Sequence, residues 1–359
     1  MKSISYLIKP VSSACNMQCR YCFYKDVSSH RQTACFEVMN EGTVRHILEQ
    51  SKNYDDVTFA FQGGEPMLAG LDFYKRFVRE AELVLTKQNI HYVLQTNGIL
   101  IDEAWCAFFK EKDFLIGISL DGYKDNHDYF RKTNEGKNTF HTVFQALTKL
   151  RNHNVSFNIL MVLTSSLAKH PQKLFQFLIR NRIQYVQLIP CLPEIGVNKD
   201  MYSLTPELFY SFYKIFFDLW YKEVLKGNYI SVGLFDNLIL LFQNKTTQQC
   251  GMRGYCSFQN IIESNGNVYP CDFYAVDDYV CGNINETNIN EIQTCSKANQ
   301  FINTSKNKSD LCIRCPFYSI CKGNCKRMSV CYRNDTFCGY KKFLEYSGPY
   351  FNRLAQMFS

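Results

Sequence analysis

Three cysteines near the start of the chain have the spacing of a metal-binding loop. Cys15, Cys19 and Cys22 lie in the segment CNMQCRYCFY. Three thiolates cannot close a four-ligand site, and no histidine stands beside them to complete it. An iron–sulfur cluster held by three cysteines keeps one iron open for a substrate. The spacing therefore predicts a substrate-binding cluster, with a zinc ion that keeps a water ligand as the alternative.

A second group of cysteines lies towards the C-terminus. Eight of them are enough for two four-cysteine sites: Cys250, Cys256, Cys271, Cys312, Cys315, Cys321, Cys325 and Cys338. Zinc ribbons would also suit this spacing, although zinc offers no route for electrons. Six more are interpreted mostly as ordinary residues: Cys35, Cys106, Cys191, Cys281, Cys295 and Cys331. Cys331 could nevertheless replace Cys338 as a ligand, because it lies between Cys325 and Cys338.

The composition explains why we expect these thiols to be reduced. The chain has 359 residues, 17 cysteines and a net charge of +7, and 46% of it is hydrophobic. It has neither a signal-peptide pattern nor a long uncharged apolar run, so we expect a cytoplasmic protein without a membrane partner. Thiols stay reduced in that compartment. The charge is modest and spread along the chain, which argues against a nucleic-acid partner.

Short strands alternate with amphipathic helices up to about residue 200. The predicted strands are 4–10, 57–61, 91–96, 114–120, 155–163 and 184–190, and the main predicted helices between them are 41–51, 71–85, 102–109, 139–153 and 170–181. This alternation predicts an α/β fold of parallel βα units, either a partly or fully closed barrel or a doubly wound sheet. Ligands gather at the carboxyl ends of such strands.

The pattern changes beyond residue 200. Long helices are predicted over 205–227 and 231–242, and the aromatic stripe of the first is expected to be a packing face. A hairpin is predicted at Asn265-Gly266. The last segment is expected to be helical with a break at Pro349.

The first cysteine loop resembles the CxxxCxxC signature of the radical S-adenosylmethionine (SAM) enzymes, with Tyr21 as the aromatic residue before the last cysteine. FQGGEP after the second strand and SLDG after the fourth also resemble motifs of that family. The resemblance implies a partial (β/α)6 TIM-type barrel and a 4Fe-4S cluster whose open iron is chelated by SAM. One-electron reduction would cleave SAM to methionine and a 5′-deoxyadenosyl radical.

Several residues are similar to the SAM contacts of this family. By resemblance, Gly64 allows close approach to the SAM amino group, and Ser119 and Asp121 lie near the ribose. Arg131 is similar to the residue that meets the SAM carboxylate, and Leu192 to one that packs on the adenine. The alternatives are a helix cap for Asp121 and a solvated salt bridge for Arg131.

The second cysteine group resembles a SPASM domain, which extends radical SAM enzymes that act on peptides and carries two auxiliary 4Fe-4S clusters. By resemblance, the first auxiliary cluster uses Cys250, Cys256, Cys271 and Cys325, and the second uses Cys312, Cys315, Cys321 and Cys338. The chain would then hold three clusters. We expect a radical SAM partial barrel over 1–230, a SPASM domain over 231–340 and a C-terminal helix over 341–359.

The chain as a whole resembles the anaerobic sulfatase-maturating enzymes, in the motifs CFY, FAFQGGEP, LQTNG and YPCDFY. These enzymes oxidise an active-site Cys or Ser of a sulfatase to Cα-formylglycine without oxygen. The resemblance implies that Asp272 is the general base and that an auxiliary cluster collects the second electron. It places Tyr24 and Gln62 near the target residue. Asp272 could instead cap the following turn, and Tyr24 could be a packing aromatic residue.

The resemblance also implies partners. They are a sulfatase polypeptide, unfolded or nascent, and an electron donor such as flavodoxin or ferredoxin, and we expect a monomer. The rival reaction is that of a SPASM-type maturase that crosslinks a ribosomally made peptide, which would share every cluster ligand. Only fourteen residues precede Cys15, which favours sulfatase maturation. An electron-transfer protein is disfavoured because it would have no use for an open iron.

Overall fold

The computed structural model describes residues 2–32, 37–304 and 309–358. Cys35 lies outside the described residues. The chain divides into two compact units. The first comprises Met1–Ser119, Asp128–Phe157 and Ser257–Asn303, and the second comprises Leu120–His127, Asn158–Cys256 and Thr304–Ser359.

Strands and helices alternate along the first two thirds of the chain, as predicted. In chain order the elements are β1 (Ser3–Lys9), α1 (Phe23–Ser29), α2 (Glu41–Ser51), β2 (Asp56–Phe61), α3 (Leu71–Val84), β3 (Asn89–Thr96), α4 (Glu103–Glu111), β4 (Leu115–Ser119), α5 (Lys124–Phe130), α6 (Phe140–Asn152), β5 (Phe157–Leu163), α7 (Pro171–Arg180), β6 (Tyr185–Pro190), α8 (Pro206–Leu225), β7 (Ser231–Val232) and α9 (Gly233–Phe242). Each predicted strand and helix of this stretch is present.

Short elements follow in the cysteine-rich tract. They are β8 (Ile261–Glu263), β9 (Asn267–Tyr269), β10 (Gly282–Asn283), α10 (Ile289–Thr294), α11 (Ser296–Asn303), α12 (Asp310–Ile313), α13 (Tyr318–Cys321), α14 (Ser329–Tyr332) and the long α15 (Gly339–Met357). The predicted hairpin is confirmed as β8 and β9, which pair antiparallel on either side of Asn265-Gly266. Gly266 has φ +88, a conformation that favours glycine.

The strands of the first unit follow the order β10-β9-β8-β1-β2-β3-β4. Strands β1 to β4 are parallel to their neighbours, and β8 adds to the free side of β1, also in parallel. The core beneath them is aromatic, because alternate residues of β2 such as Phe59 and Phe61 meet Phe77 of α3 edge to face. The pairing of β8 with β1 was not predicted.

In the second unit, β5, β6 and β7 pair in parallel. The aromatic stripe of α8 is buried, which confirms that it is a packing face. Helix α15 packs on it through Phe343, which contacts Phe209, Tyr213 and Phe217.

The predicted break at Pro349 is wrong. Helix α15 continues through this residue from Gly339 to Met357. A proline inside a helix removes one backbone hydrogen bond. Phe343 and Phe351 are fully buried on either side of it, so packing outweighs that local loss. No helix in the described part of the chain is long and apolar enough to cross a bilayer.

Truncation of Phe343 tests this aromatic core. We expect Phe343→Ala to lower the free energy of unfolding by about 3–5 kcal/mol, because a fully buried ring is lost. Urea denaturation followed by circular dichroism measures the change. Phe358→Ala is the control, since that ring is 45% exposed and should cost about 0.5 kcal/mol or less. Equal losses in the two variants would contradict the packing described.

Candidate active site and cluster-binding loops

A buried lysine ends the first strand. Lys9 is fully buried at the carboxyl end of β1 and stands directly opposite Glu263 in the pairing of β1 with β8. Its Nζ lies 3.5 Å from Oε1 of Glu263 and 2.6 Å from Oδ1 of Asp272. A buried ammonium is tolerated when carboxylates pair with it. The addition of β8 to β1 therefore brings two acidic side chains to Lys9.

The Asp272 carboxylate is held from two sides. Besides the contact of Oδ1 with Lys9, Oδ2 accepts a hydrogen bond of 2.8 Å from Nε2 of Gln62, the residue after β2. Asp272 opens a short helical turn in which Cys271 is the cap residue, and no side-chain hydrogen bond caps that turn. The alternative role of Asp272 as a turn cap is therefore wrong. Its side chain is 14% exposed, so part of it is accessible.

Glu263 is shared by several donors. Its Oε1 accepts from the Tyr24 hydroxyl at 2.6 Å and from Nη2 of Arg31 at 2.8 Å. Burial alone would raise the pKa of Glu263, but the Lys9 ammonium and the Arg31 guanidinium outweigh it and lower that pKa. Two cations, Lys9 and Arg31, thus balance two carboxylates, Glu263 and Asp272.

Tyr24 is part of this network. Its ring centroid lies 3.6 Å from Nζ of Lys9, and the side chain is buried. Burial, and then the Glu263 charge, raise the pKa of Tyr24 well above its ordinary value. Its hydroxyl therefore keeps its proton and donates a hydrogen bond to Glu263. The structure thus joins the three predicted residues Tyr24, Gln62 and Asp272 around Lys9. Lys9, Arg31 and Glu263 were not predicted from the sequence.

One signal in the sequence pointed to Lys9. A lysine that ends an otherwise apolar strand, as in ISYLIK, is a charge where burial is expected. The signal did not identify the carboxylate partners of Lys9, because Glu263 and Asp272 lie more than 250 residues away in the chain.

The first cysteine loop is hydrogen-bonded to the segment that carries Arg131. The backbone amide of Gln18 donates to the Lys132 carbonyl at 2.9 Å, and the backbone amide of Arg20 donates to the Phe130 carbonyl at 3.0 Å. Arg131 is 8% exposed, and its guanidinium carbon lies 5.5 Å from the centroid of the Tyr21 ring. The alternative of a solvated salt bridge for Arg131 is wrong, because the side chain is buried.

The FQGGEP turn lies against the same loop. The amides of Gly64 and Glu65 donate to the carbonyls of Ser12 and Ala14, each at 2.8 Å. A Cβ added at Gly64 would fall onto the Ala14 carbonyl, so a larger residue cannot approach as closely. Burial raises the pKa of Glu65 to about 7. Its carboxylate accepts hydrogen bonds from the Thr96 hydroxyl and from the amides of Met67 and Asn97.

The electrostatics of Cys15 show which groups surround the loop. Burial raises its pKa to about 11, with smaller upward contributions from the charges of Glu65 and Cys22 and a downward one from Arg131. Cys15 is therefore close enough to Cys22, to Glu65 of the FQGGEP turn and to Arg131 to interact with them. Cys22 also caps α1, since its Sγ accepts from the Lys25 amide at 3.4 Å.

The remaining predicted SAM contacts lie at strand ends. Ser119 ends β4 in the first unit and is buried. In the second unit, Leu192 is buried shortly after β6, and Asp121 is fully buried. Oδ1 of Asp121 accepts from the Val162 amide at 3.0 Å.

The second unit brings four candidate thiols together. Burial raises the pKa of Cys321 to about 11, and the charges of Cys315, Cys338 and Cys312 add to the rise. These are the four cysteines predicted for the second auxiliary cluster. Cys331 is instead fully buried and donates to the Cys191 carbonyl at 3.4 Å.

Cysteines of the other predicted auxiliary set also meet in the second unit. Burial raises the pKa of Cys325, and Cys256 and Cys250 are among the charges that raise it further. A Cβ on Gly251 would lie 3.0 Å from the Cβ of Cys325, so the two segments are in contact. Cys271 belongs to the first unit, and its place in this cluster stays a prediction.

These thiols fit iron–sulfur clusters. The predicted ligands are half-buried, apart from the more buried Cys312. Outside the predicted sets, Cys106, Cys191 and Cys331 are buried, and Cys281 and Cys295 are half-buried. Within residues 2–32, 37–304 and 309–358, no three His, Cys, Asp or Glu side chains have the spacing for a single metal ion. A cluster differs, because each thiolate binds a separate iron atom.

Comparisons with known proteins agree with this site. A profile described as "Radical SAM superfamily" matches residues 10–178, and one described as "Iron-sulfur cluster-binding domain" matches residues 250–316. The predicted partial (β/α)6 barrel with a SPASM domain is confirmed. The protein is thus a radical SAM oxidoreductase, and its cofactors are SAM and iron–sulfur clusters.

The relatives of this chain identify its family within the radical SAM enzymes. The "Cysteine-type anaerobic sulfatase-maturating enzyme" of Clostridium novyi is 39% identical over 332 residues, which are 91% of this chain and 89% of that protein. The "Serine-type anaerobic sulfatase-maturating enzyme" of Bacteroides thetaiotaomicron is 27% identical over 377 residues, 97% of this chain and 90% of that protein. The chain belongs to the family of anaerobic sulfatase-maturating enzymes.

Solved structures agree with the sequence relatives. "Native anSMEcpe with bound AdoMet and Cp18Cys peptide" has a TM-score of 0.92 at 35% identity and covers 99% of this chain and 100% of that one. Streptococcus suis SuiB bound to precursor peptide SuiA has a TM-score of 0.62 at 18% identity, with 90% of this chain and 72% of that one covered. The second likeness shows the fold alone.

The close approach at Gly64 is testable. We expect Gly64→Ala to displace the first cysteine loop, and so to lower the iron content by up to about four atoms per chain and to weaken SAM binding. Iron quantitation on anaerobically purified protein and SAM binding by calorimetry measure the change. Gly348→Ala is the control, because its added Cβ would meet its nearest neighbours at 3.9 Å. Unchanged iron and SAM affinity in Gly64→Ala would refute the steric argument.

Proposed function

We propose that this enzyme oxidises the active-site cysteine of a sulfatase to Cα-formylglycine without oxygen. The observation that carries the proposal is the partly exposed Asp272 carboxylate, oriented by Lys9 and Gln62. A fixed carboxylate of this kind suits a proton acceptor for a substrate thiol.

The chain's own residues would bind the substrate and move one proton. When bound, SAM and its reduced cluster supply the radical that removes a hydrogen atom from Cβ of the target cysteine. Asp272 accepts the thiol proton, while Gln62 holds its Oδ2. A bound auxiliary cluster would take up the electron that the substrate loses. Tyr24 stays protonated beneath Lys9 and shapes the wall of the site. Water finally replaces sulfur to leave the aldehyde.

The SAM site is proposed on the same basis. Cys15, Cys19 and Cys22 would hold the SAM-binding cluster. Gly64 would face the amino group of SAM, and Arg131 its carboxylate. The remaining contacts are proposed to be Tyr21, Ser119 and Leu192.

The target is proposed to be cysteine rather than serine. The relatives named cysteine-type are 37–39% identical to this chain, whereas those named serine-type are 27–28% identical. Peptide crosslinking is less well supported, because the relatives that cover nine tenths or more of the chain are named sulfatase-maturating enzymes.

The partners follow from this reaction. The substrate would be a sulfatase polypeptide that is still nascent or unfolded, since its target must enter the site. The enzyme would act as a monomer in the reducing cytoplasm and take electrons from a flavodoxin or ferredoxin.

The reaction is tested with a peptide of the form CxPxR, SAM and dithionite under anaerobic conditions. We expect the peptide to lose about 18 Da, because sulfur and two hydrogens leave and one oxygen enters. An SxPxR peptide is the matched comparison and should react more slowly. If the CxPxR peptide keeps its mass while SAM is cleaved, the proposal of sulfatase maturation is wrong. Peptide crosslinking then becomes the better-supported function.

We propose residues 1–230 as the barrel, 231–340 as the SPASM domain and 341–359 as the C-terminal helix.

Three 4Fe-4S clusters imply a definite iron content. Wild-type protein should hold about twelve irons. Cys338→Ala should lose up to about four of them, whereas Cys331→Ala should lose none. The opposite pattern would make Cys331 the ligand.

Asp272→Asn tests the proton acceptor. We expect formylglycine to fall by about 10²–10⁴-fold, the usual contribution of a general base, while SAM cleavage persists. Mass spectrometry of the peptide and chromatography of 5′-deoxyadenosine measure the two activities. Asp277→Asn is the control, because Asp277 lies in the same tract but accepts from the Gln32 amide. Product at the wild-type level in Asp272→Asn would exclude Asp272 as the base.

A further inference from the structure

We propose that Lys9 is a positioning residue for this reaction, which fixes the Asp272 carboxylate in the orientation that receives the substrate proton. The inference rests on the proposed function and concerns a residue that does not itself take up the proton. In the step concerned, the S–H bond of the target breaks and its proton forms an O–H bond with Asp272. The electron pair stays on sulfur, and Lys9 remains protonated throughout.

The distances show which carboxylate interacts more strongly with Lys9. Its Nζ lies 2.6 Å from Asp272 and 3.5 Å from Glu263, so the closer and stronger Coulomb interaction is with Asp272. Glu263 is already bound by Tyr24 and by Arg31. Lys9 is the cation that the described residues place within ion-pair distance of Asp272. Its removal would therefore affect Asp272 more than Glu263.

The ammonium of Lys9 is itself immobilised. Its side chain is fully buried, the Tyr24 ring lies 3.6 Å away, and Glu263 lies opposite it across the strand pair. A long flexible side chain held in this way acts as a rigid support rather than a mobile charge. Glu263, Arg31 and Tyr24 thus support Lys9, and Lys9 supports Asp272.

The contacts leave Asp272 free to react. Each carboxylate oxygen has two acceptor positions. Gln62 donates to one position on Oδ2, and Lys9 forms an ion pair with Oδ1. The carboxylate cannot rotate without loss of one of these contacts. Oδ1 is itself buried, so the proton would arrive at the second acceptor position of Oδ2. Proton transfer depends on alignment, and a misplacement of about 1 Å can cost about 10²-fold in rate.

The test separates proton acceptance from the preceding hydrogen abstraction. The reconstituted enzyme is given SAM, dithionite and a CxPxR peptide whose target cysteine carries deuterium at Cβ. We expect Lys9→Met still to transfer deuterium to 5′-deoxyadenosine, because SAM and peptide remain bound. We expect the yield of formylglycine per 5′-deoxyadenosine to fall by about 10²-fold. Lys9→Arg keeps a cation and should recover part of that yield.

A second variant covers the case in which Lys9→Met fails to fold. Lys9→Met with Glu263→Gln restores the charge balance of the buried network, so thermal stability should recover while the yield per 5′-deoxyadenosine stays low. Lys52→Met is the control, because Lys52 pairs with Glu49 on the surface. It should match the wild-type enzyme in every measurement.

Two results would overturn the proposed role of Lys9, and a third would overturn the proposed function. Wild-type yield per 5′-deoxyadenosine in Lys9→Met, or in the double variant, would overturn the role of Lys9, since charge balance alone would then be sufficient. Loss of deuterium transfer in a folded Lys9→Met enzyme would also overturn it, because Lys9 would then act on substrate binding. A wild-type enzyme that makes no formylglycine would instead overturn the proposed function.

Discussion

The pairing of β8 with β1 is the contact on which the active site depends. It sets Glu263 opposite Lys9 and brings Asp272 within 2.6 Å of the same ammonium. A slip of one residue would turn Glu263 to the other face of the sheet and leave Lys9 buried without this partner. Removal of one partner from a buried ion pair costs about 3–5 kcal/mol. The buried charges therefore stabilise the strand register, and the register assembles the site.

A second constraint acts on the first cysteine loop. The loop has little regular structure of its own, and its backbone is held by the FQGGEP turn on one side and by the segment around Arg131 on the other. Gly64 permits the first of these contacts, because a side chain there would meet Ala14. The backbone around the predicted cluster ligands is thus held by hydrogen bonds to the turn that follows β2 and to the segment that follows α5. Radical chemistry requires this rigidity, since the protein's task is to orient a reactive cofactor.

Much of this architecture was predictable from residue patterns. The alternation of apolar residues located β1 to β6 and the main helices, because burial of one face leaves a period of two or 3.6 in the sequence. The packing role of the α8 stripe was predicted for the same reason. Pro349 was misjudged, because tertiary packing around α15 outweighs a local preference. Helices α1 and α5 were missed, since each has only seven residues and little periodic signal.

The chemistry of the chain was readable in its cysteine spacing and short motifs, because a cluster loop needs its ligands a few residues apart. That spacing did not distinguish Cys331 from Cys338, and it did not identify Lys9, Arg31 and Glu263 as one network. These features depend on folded contacts: the Cys331 thiol donates a hydrogen bond to the Cys191 backbone carbonyl, and Glu263 lies opposite Lys9 through the pairing of β8 with β1. Local patterns record what neighbours along the chain require, whereas the environment of Asp272 is made by residues up to 263 positions away.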